Sequence, residues 1–134
     1  MCHITCVAPF RLTLTAGTPI FDQVVFAATR AILSGSLQPG QAFPSGRSLA
    51  ADLKIHPNTA HKAIQYLIQE RWLEARPGIG TVVLEPPRAR PGDRQRLLNG
   101  EVEKLVVEAA RVGADLPDVI DAIRARWKAM RGGQ

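Results

Sequence analysis

The sequence predicts a mainly α-helical fold with a small β-hairpin, and three observations carry that expectation. Apolar residues recur at helical spacing in three consecutive segments, the second and third separated by only three residues, Lys54-Ile55-His56. A glycine-punctuated pair of short strand-like runs follows, Trp72–Arg76 and Thr81–Leu84 around Pro77-Gly78-Ile79-Gly80. After a proline-rich break come two further amphipathic stretches. Two helices joined by so short a turn must cross steeply, so the order of elements reads as a winged helix-turn-helix followed by a two-helix C-terminal region.

The first helix is expected to start at Thr18-Pro19, with Thr as cap and Pro at the first helical position, where its missing N–H costs nothing. Ile20, Val24, Ala28 and Ile32 recur every four residues, flanked by Val25 and Leu33, until Ser34-Gly35-Ser36 offers a left-handed stop. Gln38-Pro39-Gly40 is a tight turn, and Phe43 after it is a core candidate. Ser45 caps a short second helix whose apolar face is Leu49, Ala50 and Leu53. Pro57 opens the third, with Ala60, Ala63, Ile64, Leu67 and Ile68 on its buried side.

From Glu85 to Gly92 the composition changes to Pro and Arg, which forbids a regular helix and reads as a linker. Leu97, Leu98, Val102, Leu105, Val106 and Ala109 then mark a fourth helix ended by Gly113. A last helix starts near Leu116-Pro117-Asp118, with Val119, Ile120, Ile123 and Trp127 as its apolar residues. The expected division is a poorly ordered leader (1–17), a winged helix-turn-helix (18–84), a linker (85–93) and a helical region (94–130). Two short helices cannot bury a core unaided, so this last region is expected to pair with another subunit or to fold back on the first domain.

The 134 residues include 17 Lys and Arg against 12 Asp and Glu, a formal charge of +5 that favours a polyanionic partner. A large catalytic domain does not fit this length, and no nucleophile-base-acid set or phosphate loop is present, so the chain is not expected to be an enzyme or to need a cofactor. No apolar run approaches the roughly 20 residues of a membrane span, and the start lacks signal-peptide character, which together suggest a cytoplasmic protein, nucleoid-associated when bound to DNA. Cys2, His3 and Cys6 cluster within the first six residues. They could offer soft ligands to zinc but lack a fourth ligand and a scaffold, so no functional metal is expected there.

In a helix-turn-helix the second helix of the pair enters the major groove, and the outward residues of its first turns reach base edges. Here those are Pro57, Asn58, Thr59, His61 and Lys62, preceded by His56. Asn58 can pair with adenine, Lys62 can approach guanine or a phosphate, and Thr59 can meet a phosphate or a thymine methyl. Pro57 fixes the helix start. Ser45 and Arg47 open the helix that crosses the phosphates. Arg76, Gly78, Gly80 and Thr81 belong to the wing, where glycine lets backbone approach the sugar-phosphate edge and Arg76 brings charge to a phosphate or the minor groove. Each residue also has a plain structural role open to it: Asn58 and Thr59 as first-turn capping residues, Gly78 and Gly80 for turn geometry, Arg47 as a solvated charge. Their order along one basic chain favours double-stranded DNA. The competing expectation is a winged-helix protein-interaction module without specific DNA binding.

Residues 19 to 84 resemble the winged helix-turn-helix of the GntR superfamily. Its pattern is matched by Pro-Ile-Phe-x-Gln at the start, Ser-Gly-x-Leu-x-Pro-Gly at the turn, Pro-Ser-x-Arg-x-Leu-Ala and Pro-Asn-Thr-x-x-Lys-Ala, all similar to the YtrA-like branch. The resemblance implies a homodimer on a near-palindromic operator, most simply as a repressor, with the tail for dimerisation and for any small-molecule effector. It implies DNA contacts at Arg47, Asn58, Thr59, His61, Lys62 and Gly78. The chain departs from the pattern at His56, where Asn or Ser often caps, at Ser48, where Glu often closes a capping box, and at His61, where Arg is frequent.

Overall fold

The structure is a computed structural model that describes residues 10–132. It divides into two compact units, the first ending at Pro87 and the second covering Arg88–Gly132. The first unit contains α1 (Ile20–Ser34), β1 (Ala42–Phe43), α2 (Gly46–Leu53), α3 (Pro57–Gln69), β2 (Leu73–Arg76) and β3 (Gly80–Val83). The second contains α4 (Asp93–Arg96), a π-helical turn (Leu97–Glu101), α5 (Val102–Val112) and α6 (Leu116–Gly132).

The beginning of α1 corrects the sequence reading. Pro19 is the capping residue with extended backbone rather than the first helical one, and Thr18 does not cap. Instead Gln23 holds the preceding strap. Its side-chain amide donates to the carbonyls of Thr15 (3.0 Å) and Thr18 (2.8 Å), and its Oε1 accepts the Thr15 N–H (2.9 Å). The strap contributes to the core as well: Leu12 packs against it, and Phe10 stacks on Phe43 with ring centroids 6.3 Å apart. Residues 10–17, expected as part of a loose leader, thus close one side of the first unit. The buried stripe of α1 is Val24, Ala28, Ala31 and Ile32, while Ile20 and Leu33 at its ends are exposed. Gly35 ends the helix at φ +90°.

Pro39 and Gly40 form the expected turn, with Gly40 at φ +90° and the Gln41 N–H donating to the Gln38 carbonyl (3.0 Å). The chain leaves it as β1, a two-residue strand too short to be read from the sequence. Three strands form an antiparallel sheet in the order β1-β3-β2, with Phe43 opposite Thr81 and Arg76 opposite Gly80. The Gly40 N–H also donates to the Val83 carbonyl (2.7 Å), and the Val83 N–H to that of Gln41 (2.9 Å). Leu37, Leu49, Leu67, Leu73, Val24 and Val83 are almost wholly buried beneath this sheet and the three helices. Burial of such side chains contributes about 1.5–3 kcal/mol each, which is what holds α2 and α3 at their crossing. An edge-to-face contact of Phe21 with Tyr66 (5.6 Å) adds to the packing of α1 on α3.

In the second unit α4, the π turn and α5 run as one helix, since the residues at each junction keep right-handed helical dihedrals. The π turn contains Asn99-Gly100, where weak helix propensity lowers the cost of the wider winding. Gly113 ends α5 at φ +80°, and Asp115 caps α6 by accepting the Asp118 N–H (3.1 Å). The two helices form an apolar groove lined by Leu105, Ala109, Val119, Ile123 and Trp127. Among the described residues no side chain of this unit is buried, and Trp127 is 60% exposed. No helix among the described residues is long and apolar enough to cross a membrane.

Candidate nucleic-acid interface

The turn between α2 and α3 is built from three backbone decisions. Lys54 ends α2 in the left-handed conformation (φ 59°), and Ile55 donates its N–H back to the Ala50 carbonyl (3.0 Å). His56 then caps α3: its Nδ1 accepts the Asn58 N–H at 3.0 Å, with Pro57 in the first helical position. At the start of α2, Ser45 caps by accepting the Ser48 N–H (3.2 Å), and its hydroxyl donates to the Ser48 hydroxyl (3.3 Å).

Helix α3 presents two chemically distinct faces. Ala60, Ala63, Ile64 and Leu67 are buried, whereas Pro57, Asn58, His61 and Lys62 are exposed on the opposite side. Thr59 is half-buried, so it reaches less far from the helix than its neighbours. Gly46 brings the N-terminal end of α2 against this face. A Cβ there would lie 3.5 to 3.6 Å from His61 backbone and Cβ atoms, so the two helices meet closely where Arg47 and His61 both start outward. Arg47, His61 and Lys62 are exposed and have no hydrogen bond or ion pair among the described residues. Ser45 and Arg47 flank Gly46 in the chain, so this contact sets the start of α2 near His61 of α3.

The wing turns through Gly78 at φ +78°, with the Ile79 N–H donating to the Arg76 carbonyl (3.0 Å); Gly80 follows at φ +114°. Nothing lies within 4 Å of where a Cβ would stand on either glycine, so backbone conformation selects glycine at these positions, not crowding. Arg76 Nε donates to Glu74 Oε1 at 2.8 Å, on the same strand two residues back. Both side chains of the pair are about half exposed, so water screens it. Thr81 is half-buried on β3 beside Phe43 and Ala75. Ile79, which the sequence reading passed over, is the most exposed large apolar residue of the wing at 74%. Its place between two glycines in a hairpin turn was the available signal, since no core can reach there.

Among the described residues no group of three or more His, Cys, Asp or Glu could hold a metal ion. Cys2, His3 and Cys6 lie outside the described residues.

A capped helix pair with a polar outward face, followed by a glycine-tipped hairpin on the same core, defines the class of DNA-binding winged helix-turn-helix regulators. Residues 22–83 match the family described as "Bacterial regulatory proteins, gntR family", and the chain carries the winged helix-turn-helix of that family. It is similar to the HTH-type transcriptional repressor YtrA of Bacillus subtilis, at 27% identity over 120 residues, 89% of this chain and 92% of the relative. Its fold is shared by a transcriptional antiterminator from Listeria monocytogenes EGD-e, at TM-score 0.78 and 20% identity over 93% of this chain and 94% of that one. A GntR family transcriptional regulator from Listeria monocytogenes is also similar, at TM-score 0.60 and 21% identity over 84% and 98%.

Proposed function

We propose that the chain is a sequence-specific, homodimeric repressor of the YtrA-like branch, acting on a near-palindromic operator in the cytoplasm and carrying no enzymatic activity. The observation that carries this reading is the outward face of α3: Asn58, His61 and Lys62 stand exposed, backed by buried Ala60, Ala63 and Ile64, with Arg47 delivered beside them by the close approach at Gly46. In such a frame Arg47 and the amides at the start of α2 meet phosphate, and Asn58, His61 and Lys62 meet base edges. Gly78, Gly80 and Ile79 bring the wing to the adjacent groove. The name of the Bacillus relative supports repression.

Dimerisation is supported by the second unit. Leu105, Val106, Ile120, Ile123 and Trp127 leave an apolar surface that two helices cannot cover, and a second copy of the same surface covers it symmetrically.

Gel shifts of the full chain on fragments of its source genome test the reading. Tight binding to a few fragments, falling steeply with salt, is the expected result. Equal binding to every fragment sinks it.

A further inference from the structure

Between α1 and the strap that precedes it, the first unit holds a cavity of about 640 Å³, inside the range of roughly 300 to 1,000 Å³ usual for small-molecule sites. Its apolar lining comes from Phe10 and Leu12 of the strap and from Ala27 and Ala31 of α1. The strap is fastened at two places, by the hydrogen bonds of Gln23 to Thr15 and Thr18 and by the stack of Phe10 on Phe43. The walls therefore stand before anything binds, which keeps the ordering cost of an occupant low. Three charged side chains also line the cavity: Arg11, Asp22 and Arg30. All three are exposed, and none has a hydrogen bond or ion pair among the described residues. Asp22, Phe26 and Arg30 follow at four-residue spacing and form one row along α1. Asp22 and Arg30 thus stand about 12 Å apart along the axis, too far to neutralise each other. Phe26 lies between them, 67% exposed. Arg11 is four residues before Thr15, and an extended run of that length spans about 13 Å, enough to bring Arg11 from the Gln23 end of the cavity level with Arg30.

We infer that this cavity is a binding site for a small aromatic monocarboxylate, with Arg11 and Arg30 holding the carboxylate and Phe26 packing on the ring. The planar guanidinium fork matches the edge of a carboxylate, and two cations against one acid leave the lining with surplus positive charge. A ring laid on Phe26 takes apolar surface of both partners out of water. Asp22 at the far end repels a second carboxylate, so a monoacid is preferred to a diacid. The site belongs wholly to the first unit, not to the tail in which the family resemblance sets any small-molecule effector, and it needs nothing from the DNA-binding reading. Phe10, one wall of the cavity, is also the partner of Phe43 in β1, so an occupant stands one side chain away from the sheet that carries the wing.

Benzoate serves as the probe, and benzamide, uncharged and of nearly the same shape, as its control. Followed by nuclear magnetic resonance of the full, isotopically labelled chain, benzoate is expected to give saturable amide shifts in residues 11–15 and 26–34. Benzamide should bind about tenfold more weakly, the scale of one charge-assisted hydrogen bond. Terephthalate, the diacid built on the same ring, should also bind more weakly than benzoate, and Asp22→Asn should narrow that gap. Arg11→Gln combined with Arg30→Gln should bind benzoate no better than benzamide. Both arginines are exposed and unpaired among the described residues, so the double variant should unfold at the wild-type temperature, and its loss of binding is then a loss of the site. The inference is overturned if benzoate gives no saturable shifts, or if they are confined to the groove between α5 and α6. Equal affinity of the wild-type chain for benzoate and benzamide overturns the assignment to an anion, as does a double variant that binds benzoate like wild type. Terephthalate binding as tightly as benzoate overturns the part given to Asp22.

Discussion

The Nδ1 of His56 accepts the backbone N–H of Asn58 at 3.0 Å, so one imidazole caps the helix that carries the exposed polar face. With Nδ1 accepting, the ring proton sits on Nε2, which leaves a donor on an exposed side chain beside the start of α3. Replacing the ring by alanine leaves the Asn58 amide without this partner. His56→Ala should therefore cost about 1 kcal/mol, and His56→Asn should recover most of it, because Asn is among the preferred capping residues. Chemical denaturation of the three chains compares them directly. Equal midpoints would show that the cap contributes nothing.

Arg47→Ala and Asn58→Ala should separate positioning from reading. The first is expected to weaken binding on all sequences alike and to reduce the salt slope by about one unit. The second should cost about 1–3 kcal/mol on the preferred site and relax discrimination at particular base positions. Fluorescence anisotropy on matched and mismatched duplexes reads both effects.

Gly40 occupies φ +90° in a turn whose amide also bonds Val83. Gly40→Ala has open space for its methyl group, so the penalty is conformational alone, about 1–2 kcal/mol. Thermal unfolding should register it as a fall of several degrees.

Ile123→Asp places a charge on the apolar groove of the second unit. Sedimentation at micromolar concentration should show the wild-type chain as a dimer and this variant as a monomer. A chain ending at Glu85, which keeps the whole buried core of the first unit, should also be monomeric. If that shortened chain remains a dimer, the interface lies elsewhere.

Asp93 titrates below the usual carboxylate range, chiefly because it accepts the Arg90 backbone N–H, with the Arg96 side chain assisting. Glu108 is lowered by its bidentate pairing with Arg111, whose own value is raised. A carboxyl group lowered on folding contributes stability above its unfolded value and loses it as pH falls through the folded one. Helix content of the second unit should therefore drop on the acid side of the normal carboxylate range. Asp93→Asn should flatten part of that drop, which circular dichroism against pH would register.

The sequence carried the large elements because their signals are local. Ser45 acts on the amide three residues on, Pro57, Gly35 and Gly113 act through their own backbone, and each stands at a helix end in the structure. Features that depend on distant partners were not legible. β1 exists only because Thr81 and Val82 lie opposite it, and Phe10 joins the core only because Phe43 is there to stack on. Thr18 looked like a cap, but Gln23 competes for that turn through three hydrogen bonds. His56 was read as a departure from a capping pattern, although its ring nitrogen performs the same task. At the candidate interface, residue types singled out Arg47, Asn58 and Lys62, all of which are exposed. Only geometry disclosed that Glu74 engages Arg76, and that a Cβ on Gly46 would stand in ordinary contact with His61.

The pairing of β1 with β3, reinforced by the exchange between Val83 and residues Gly40 and Gln41, ties the connection ahead of α2 to the root of the wing through main-chain atoms alone. The posture in which helix and wing are held is thus indifferent to which side chains occupy the outward face of α3. Asn58, His61 and Lys62 can therefore be exchanged by mutation while the frame stays put, and on the proposed function such exchanges would shift the target one residue at a time.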